Sequence, residues 1–387
     1  MAALSDTVLQ NGKSQPSRQN AVGTRLPRCL IWLLLSWAPL PALCQTQASL
    51  QREIGKLIHF ETDVGFPGKT GLIVGVVDGN STFVCAFGTF EKETPGPATH
   101  SLFELGDLTQ VITAALVLQQ VNEGILHLNT PLNEYLPPGW QNKSAHHLTI
   151  RNLLTHTSGL PRVPPGFGKK ITGQQQPYAH YSKDDLLAFY RSFDFGEAGT
   201  KYHYSPVNFA LLEIALENAT GKPFGELLAA QVLLPLGMAD THLYLHDSEE
   251  GALARGFSRA GLPAEAWQFQ SFGAALGLKS SMEDLLRFLQ SVMDGDATAP
   301  MELGKNGGGL ASTGIRKDTW VAAGWHIIRR RRRPNIVTHT GWTNGHRTAM
   351  AYLYGTRKGV VILSNTSDGL DGLEFRVLDL LWESKKK

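Results

Sequence analysis

Cysteine is scarce in this chain, with only Cys29, Cys44 and Cys85 among 387 residues. Two of the three lie in or beside an N-terminal apolar run, and a single remaining thiol cannot close an internal bridge. A disulfide framework is excluded, so packing must hold the fold. The apolar run itself, "LIWLLLSWAPLPAL" (Leu30 to Leu43), is interrupted by Pro39 and Pro41. It is too short for a comfortable membrane span, which takes about 20 apolar residues. Neither charge is in surplus: Lys+Arg 36 against Asp+Glu 34 gives a formal +2. That balance supplies no general attraction to nucleic acid. No H-E-x-x-H pattern or cysteine cluster accompanies His146, His147, His339 or His346, which read as solvated or hydrogen-bonded side chains rather than metal ligands. The stretch "GKNGGGLASTG" (304–314) reads as a flexible loop and lacks the Gly-Lys-Ser/Thr ending of a phosphate-binding loop. No cofactor is implied.

What the chain does have is an ordinary globular composition, 42% hydrophobic and 18% charged, with enough apolar mass for a substantial core. Residues 1–28 are polar and end in the basic "RLPR". This flank, the short apolar run and the small-x-small "ALC" read as a secretory signal ending near Cys44. The implied location is secreted or periplasmic, at the cell envelope; a membrane anchor formed by the same segment is the alternative.

The remaining domain is expected over 49–384. Helical spacing marks residues 50–60, and two β-branched runs joined by "DGNS" mark a hairpin over Thr70 to Phe90. A long helix follows from Asp107 to about Asn122 and stops at Gly124. A mostly helical stretch with Pro/Gly loops then runs to about 290 and includes an amphipathic helix over Met282 to Met293. The runs "GWHII", "IVTHTG", "TAMAYLY" and "GVVILSN" read as strands, and "LEFRVLDLLWES" as a closing helix. This order predicts an α+β fold in which both ends of the chain complete one antiparallel sheet. The sheet part is expected at about 50–106 and 290–384, with the helical part at about 107–289.

Several stretches, in this order, resemble the serine β-lactamase-related family: class C β-lactamases, penicillin-binding proteins of the D-alanyl-D-alanine carboxypeptidase type, and related esterases. They are "LFELGDLTQVITAALVLQQVNEGILHLNTPLNEYLP", "LTIRNLLTHTSGLP", "YHYSPVNFALLEIALENATGKPF", "FGAALGLKSSMEDLLRF" and "HTGWTNG". The resemblance implies a β-lactamase/transpeptidase-like fold, an antiparallel sheet flanked by helices beside an all-helical subdomain. It also implies peptide, β-lactam or ester-like small-molecule partners.

The family's chemistry uses S-x-x-K, a Tyr-bearing loop and a K-T-G or H-x-G strand around one cleft. Carried over by position, Asp107 stands for the serine and Gln110 for the lysine. Tyr204 is kept, with Pro206 where the loop's Asn is expected. His339, Thr340 and Gly341 are intact, followed by bulky Trp342 where a small residue is usual. An ordinary Asp titrates near about 3.9 and brings no proton to lose, while a Gln amide cannot act as a base. The acyl-serine route is therefore lost.

Three readings of "DLTQ" stay open. Asp107 caps the helix with Gln110 completing a capping-box-like pair; or Asp107 serves as base for a water; or a nucleophile lies elsewhere, with Thr109 and Ser205 as candidates. Ser158 reads as a structural turn residue. Arg329 to Arg333 read as a solvated, self-repelling hairpin tip, with an anionic surface as the alternative partner. Asn80, Asn142, Asn218 and Asn365 sit in N-x-S/T sequons.

Overall fold

Eight strands form one sheet, and its order shows how the two ends of the chain meet. A computed structural model describes residues 40–62, 64–66, 68–90, 98–167, 176–195, 199, 201–295 and 311–383. The proposed signal before residue 40, and residues 304–310 of the glycine-rich stretch, lie outside the described residues. Residues 44–387 form one compact unit and 1–43 another, of which only the helical start at 40–43 is described.

The strands are β1 (Gly71–Asp78), β2 (Ser81–Gly88), β3 (Ala311–Ser312), β4 (Thr319–Ala322), β5 (Trp325–Ile328), β6 (Ile336–Trp342), β7 (Arg347–Leu353) and β8 (Lys358–Ser364). They lie in the order β2-β1-β8-β7-β6-β5-β4-β3, all antiparallel. The register Leu72↔Ser364 joins the N-terminal hairpin to the last strand, as the order of elements predicts. The hairpin turns at Gly79, whose φ of 65° suits the tight "DGNS" connection.

Both faces of the sheet are covered, so β1 reads as a nearly unbroken apolar run. Alternation still sorts its side chains. Ile73 and Val77 join the core shared with the helical region. Leu72, Val74 and Val76 join a second core with Ile54 and Ile58 of α1 (Leu40–Glu61) and with Leu373, Val377 and Leu378 of the closing helix (Leu373–Glu383). The amphipathic helix runs Met282–Asp294, starts on a Ser281 cap and stops at Gly295 in the left-handed region. It presses so closely on the sheet that a Cβ at Gly75 would lie 2.3 Å from the Met282 sulfur.

Two expectations are corrected by the structure, and it also bears on the sequons. The region read as helical also contains the short strands Gly256–Phe257 and Pro263–Ala264, which pair with each other, and Lys279–Ser280, which pairs with Phe103–Glu104. Such pieces are too short to carry a period. The arginine run is a solvated tip only in part. Arg330 pairs with Asp379 at 2.7 Å, Arg333 with Asp379 and Glu383 at 3.0 and 3.3 Å, and Arg329 lies over the Trp320 ring. Acidic residues of the closing helix, distant in sequence, pair two of the five arginines, while Arg331 and Arg332 stay exposed. Of the sequons, Asn142 and Asn365 are buried and hold backbone groups, Asn365 accepting from Gly71 N and donating to Lys69 and Arg255 carbonyls. The folded chain therefore does not offer these two amides for glycosylation.

Candidate functional site

The "GDL" turn, Gly106–Leu108, is a single 3-10 turn leading into the helix Thr109–Asn122, here α2. It is fixed against the end of β6 by backbone-to-backbone contact. A Cβ at Gly341 would lie 1.9 Å from the Leu105 carbonyl oxygen, and one at Gly106, where φ is +53°, 2.4 Å from that of Trp342. Only glycine fits either position, and the contact sets Asp107 beside the His339–Trp342 strand end.

Asp107 does not cap the helix, which overturns the capping expectation. The residues at the cap positions are Leu105 for the turn and Leu108 for α2, and neither makes a side-chain cap. The helix starts two residues past Asp107, and the carboxylate turns toward Tyr204 instead. The Tyr204 hydroxyl donates to Asp107 Oδ1 and accepts from Gln110 Nε2 at 2.7 Å. Gln110 Nε2 also reaches Asp107 Oδ1 at 3.5 Å, the limit of a hydrogen bond. A closed triangle of carboxyl, phenol and amide results, with the buried Gln110 Oε1 left without a partner among the described residues.

Burial dominates its electrostatics. It raises the Asp107 carboxyl above the usual carboxylate range, although the Tyr204 hydrogen bond and the charges of Arg162 and Arg347 pull the other way. Burial, then the Asp107 charge, push the Tyr204 phenol well above its ordinary value. His156 packs on the Tyr204 ring with centroids 4.6 Å apart, and its Nδ1 faces Ser205 N and Asn208 Nδ2 at 3.2 and 3.1 Å. Two donors at Nδ1 make that nitrogen the acceptor and place the ring proton on Nε2. His339 is held by its Nδ1 donating to the Gly324 carbonyl at 2.7 Å. His326 stacks on it at 5.8 Å and bonds the Tyr202 hydroxyl at 2.9 Å. Burial lowers His326 to about 4 and His339 to about 3, so both are neutral near pH 7.

These groups surround a cleft of about 380 Å³ lined by Asp107, Arg162, Tyr204, His326, His339–Trp342 and Arg347. Of the residues carried over as the site, Asp107, Tyr204 and His339–Trp342 are at its wall, and Gln110 is fully buried behind Tyr204. Arg162, His326 and Arg347 were not anticipated. A signal for Arg347 existed, since the β6–β7 hairpin pairs it directly with Trp342. Arg162 follows "HTSGLP" without any periodic cue.

The substitute nucleophiles are spent on structure. Thr109 Oγ1 accepts from Leu278 N at 3.2 Å, Ser205 donates to the Pro161 carbonyl at 2.6 Å, and Ser158 donates to Asn208 Oδ1 at 2.6 Å while accepting from Leu160 N. Pro206 begins the helix Val207–Thr220, and the nearest amide, Asn208, is buried against His156 rather than placed at the cleft wall. His346 is bound to Glu104 and to the Ala254 carbonyl, at 3.1 and 3.0 Å.

The model of the family described as Beta-lactamase matches residues 60–379. The chain is 27% identical over 345 residues to the D-alanyl-D-alanine-carboxypeptidase/endopeptidase AmpH of Escherichia coli K12, covering 79% of this chain and 84% of that one. A solved beta-lactamase/D-alanine carboxypeptidase from Yersinia pestis, complexed with citrate, superposes with a TM-score of 0.71 at 23% identity, covering 89% and 99% of the two chains. A class C beta-lactamase from Rhodobacter sphaeroides gives 0.69 at 21% identity, covering 88% and 100%. These likenesses show a β-lactamase/transpeptidase-like fold, an antiparallel sheet flanked by helices.

Proposed function

The chain belongs to the beta-lactamase family, and from that premise we propose that it is a member without acyl-serine chemistry whose cleft binds a small ligand and does not cleave it. In this reading Asp107 and Gln110 stand where the family has its nucleophilic serine and its lysine base, and Tyr204 stands where the family has its tyrosine. His339, Thr340, Gly341 and Trp342 form the ligand-facing strand. The observation that carries it is the closed Asp107–Tyr204–Gln110 triangle. Tyr204's proton is given to a carboxyl, its lone pair receives an amide, and an amide rather than an amine stands at the position of the family's lysine base. Loss of a serine nucleophile alone costs on the order of a million-fold in rate. Ligands of the kind cleaved by AmpH, D-alanyl peptides, are the first to try, with β-lactams and short esters beside them.

A second reading is favoured by one observation, the raised pKa of Asp107. A buried carboxyl tuned upward is the ordinary form of a general base for water. Turnover assays separate the two. Nitrocefin, a D-alanyl-D-alanine peptide and a p-nitrophenyl ester are expected to disappear no faster than in buffer. Hydrolysis that Asp107→Asn abolishes would instead make Asp107 a working base.

Export is part of the proposal. The "RLPR" flank and the apolar run support removal of residues 1–44. Among the described residues no helix is long and apolar enough to cross a membrane. N-terminal sequencing of the secreted protein is expected to begin close to Gln45; a mature chain that retains Trp32 would favour the anchor.

A further inference from the structure

Two guanidinium groups border the cleft, and neither is neutralised by an ion pair among the described residues. Arg162 makes no hydrogen bond there; its guanidinium carbon lies 5.1 Å from the centre of the Tyr204 ring. Arg347 spends only its Nε, on the Ser367 carbonyl at 2.9 Å, and lies 5.5 Å from the centre of the Trp342 ring. An aromatic face can support a guanidinium while leaving N–H groups at its edge free for a bidentate partner. The exposed Thr340 hydroxyl lies on the same wall and is not engaged by any described residue.

We propose that the cleft is an anion receptor in which Arg162 and Arg347 together hold a small ligand carrying two negative charges, a dicarboxylate or a phosphate group. The inference rests on the reading of the cleft as a binding site and names what it binds. Charge bookkeeping supports it. Two permanent cations face one carboxyl, Asp107, whose Oδ1 is already engaged by Tyr204. Burial also works against ionisation of that carboxyl, and the two imidazoles on the wall, His326 and His339, are neutral. The wall is therefore net positive; beyond it the Asp368 carboxylate also acts on Arg347, but it is shared with Arg259 at 3.3 Å. Like charges converging on one concave surface concentrate an anion there. A volume of about 380 Å³ lies at the small end of ligand pockets and suits a compact anion rather than a long peptide.

The lining also explains why the charges were kept apart from the core. Arg347 sits opposite Trp342 in the β6–β7 register, and Arg162 follows the "HTSGLP" turn, so one guanidinium comes from the sheet and one from the helical region. A ligand carrying two negative charges, on two carboxylates or on one phosphate, would engage both guanidiniums, whereas a single charge would satisfy one of them.

Calorimetric titration of the full chain with succinate, inorganic phosphate and succinamide tests this. Succinamide has the shape of succinate without its charges. Saturable binding of succinate, of phosphate or of both, with none of succinamide, is expected, and the pattern distinguishes a dicarboxylate from a phosphate site. Arg162→Gln and Arg347→Gln should each weaken the anion about tenfold or more, the scale of losing one charged partner. Arg162→Lys should retain part of the affinity. Arg162→Gln removes no hydrogen bond among the described residues, and a thermal melt of each variant confirms that it is folded. Absence of saturable anion binding, equal binding of succinamide, or Gln variants that bind like the wild type would overturn the receptor. Nitrocefin turnover on the same samples keeps the two ideas apart. An inert protein that ignores anions loses only the receptor, whereas turnover overturns the non-cleaving reading whatever the anions do.

Discussion

Below about pH 6.5 the folded protein is expected to lose stability steeply, with unfolding complete before carboxylate titration ends. His156, His326 and His339 are buried and neutral, and burial holds all three below the ordinary histidine value of about 6.5. Their folded pKa values are depressed, so as pH falls the unfolded chain takes up protons that the folded chain refuses. The stability they contribute is complete above about 6.5 and is lost as pH drops toward about 4 for His326 and about 3 for His339. Each histidine adds a slope of about 1.4 kcal/mol per pH unit, and three together about 4, against a total stability of roughly 5–15 kcal/mol. Asp107 and Glu213 work in the opposite direction, since burial raises both and the folded state then holds their protons more tightly. They offset part of the loss only below the pH at which they begin to protonate. Urea unfolding followed by circular dichroism from pH 7.5 to 4.5 measures the slope (on the order of one proton per histidine). His326→Gln should flatten it by about one third of its value. A stability that stays level between pH 6.5 and 5 would show that the imidazoles are solvated or charged in the fold.

Asp107→Asn is expected to stabilise the protein at neutral pH. Burial raises the folded pKa of Asp107, so the favourable contribution of its neutral form is present below the unfolded value and is lost as pH rises through the folded one. Burial makes the charged form of this carboxyl costly, and Asn removes the charge while keeping an Oδ1 acceptor for the Tyr204 hydroxyl. A gain on the order of 1 kcal/mol, about 2 °C in Tm, is expected, and it should shrink as pH falls toward the ordinary Asp value of about 3.9. No cap is lost, because Asp107 caps nothing. A clear fall in Tm at pH 7 would mean that Arg162 and Arg347 outweigh the desolvation of the charge.

Much of this architecture was legible because period and order survive in a sequence. The β-branched run Gly71–Asp78, the turn at Gly79 and the four late strands stand out by composition, and the antiparallel closure of the two ends follows from their order. The candidate cleft was legible through position: Asp107, Tyr204 and His339–Trp342 do converge. What escaped was whatever depends on side-chain direction or on distant partners. "DLTQ" has the composition of a cap, yet the close contact of Gly106 with Trp342 tightens the turn, and Tyr204, from far along the chain, captures the carboxylate. The arginine run looked solvated because Asp379 and Glu383 come nearly fifty residues later. Arg162 and His326 carry no local signature, and only the assembled walls bring them to one cleft.

The central claim is that the site cannot form an acyl-enzyme. Intact-mass spectrometry of the wild-type chain after long incubation with a fluorescent penicillin tests it most directly. The mass is predicted to remain that of the unmodified protein, with Asp107 and Gln110 in the places of nucleophile and base. A stable adduct of the antibiotic's mass on any serine or threonine would contradict the account.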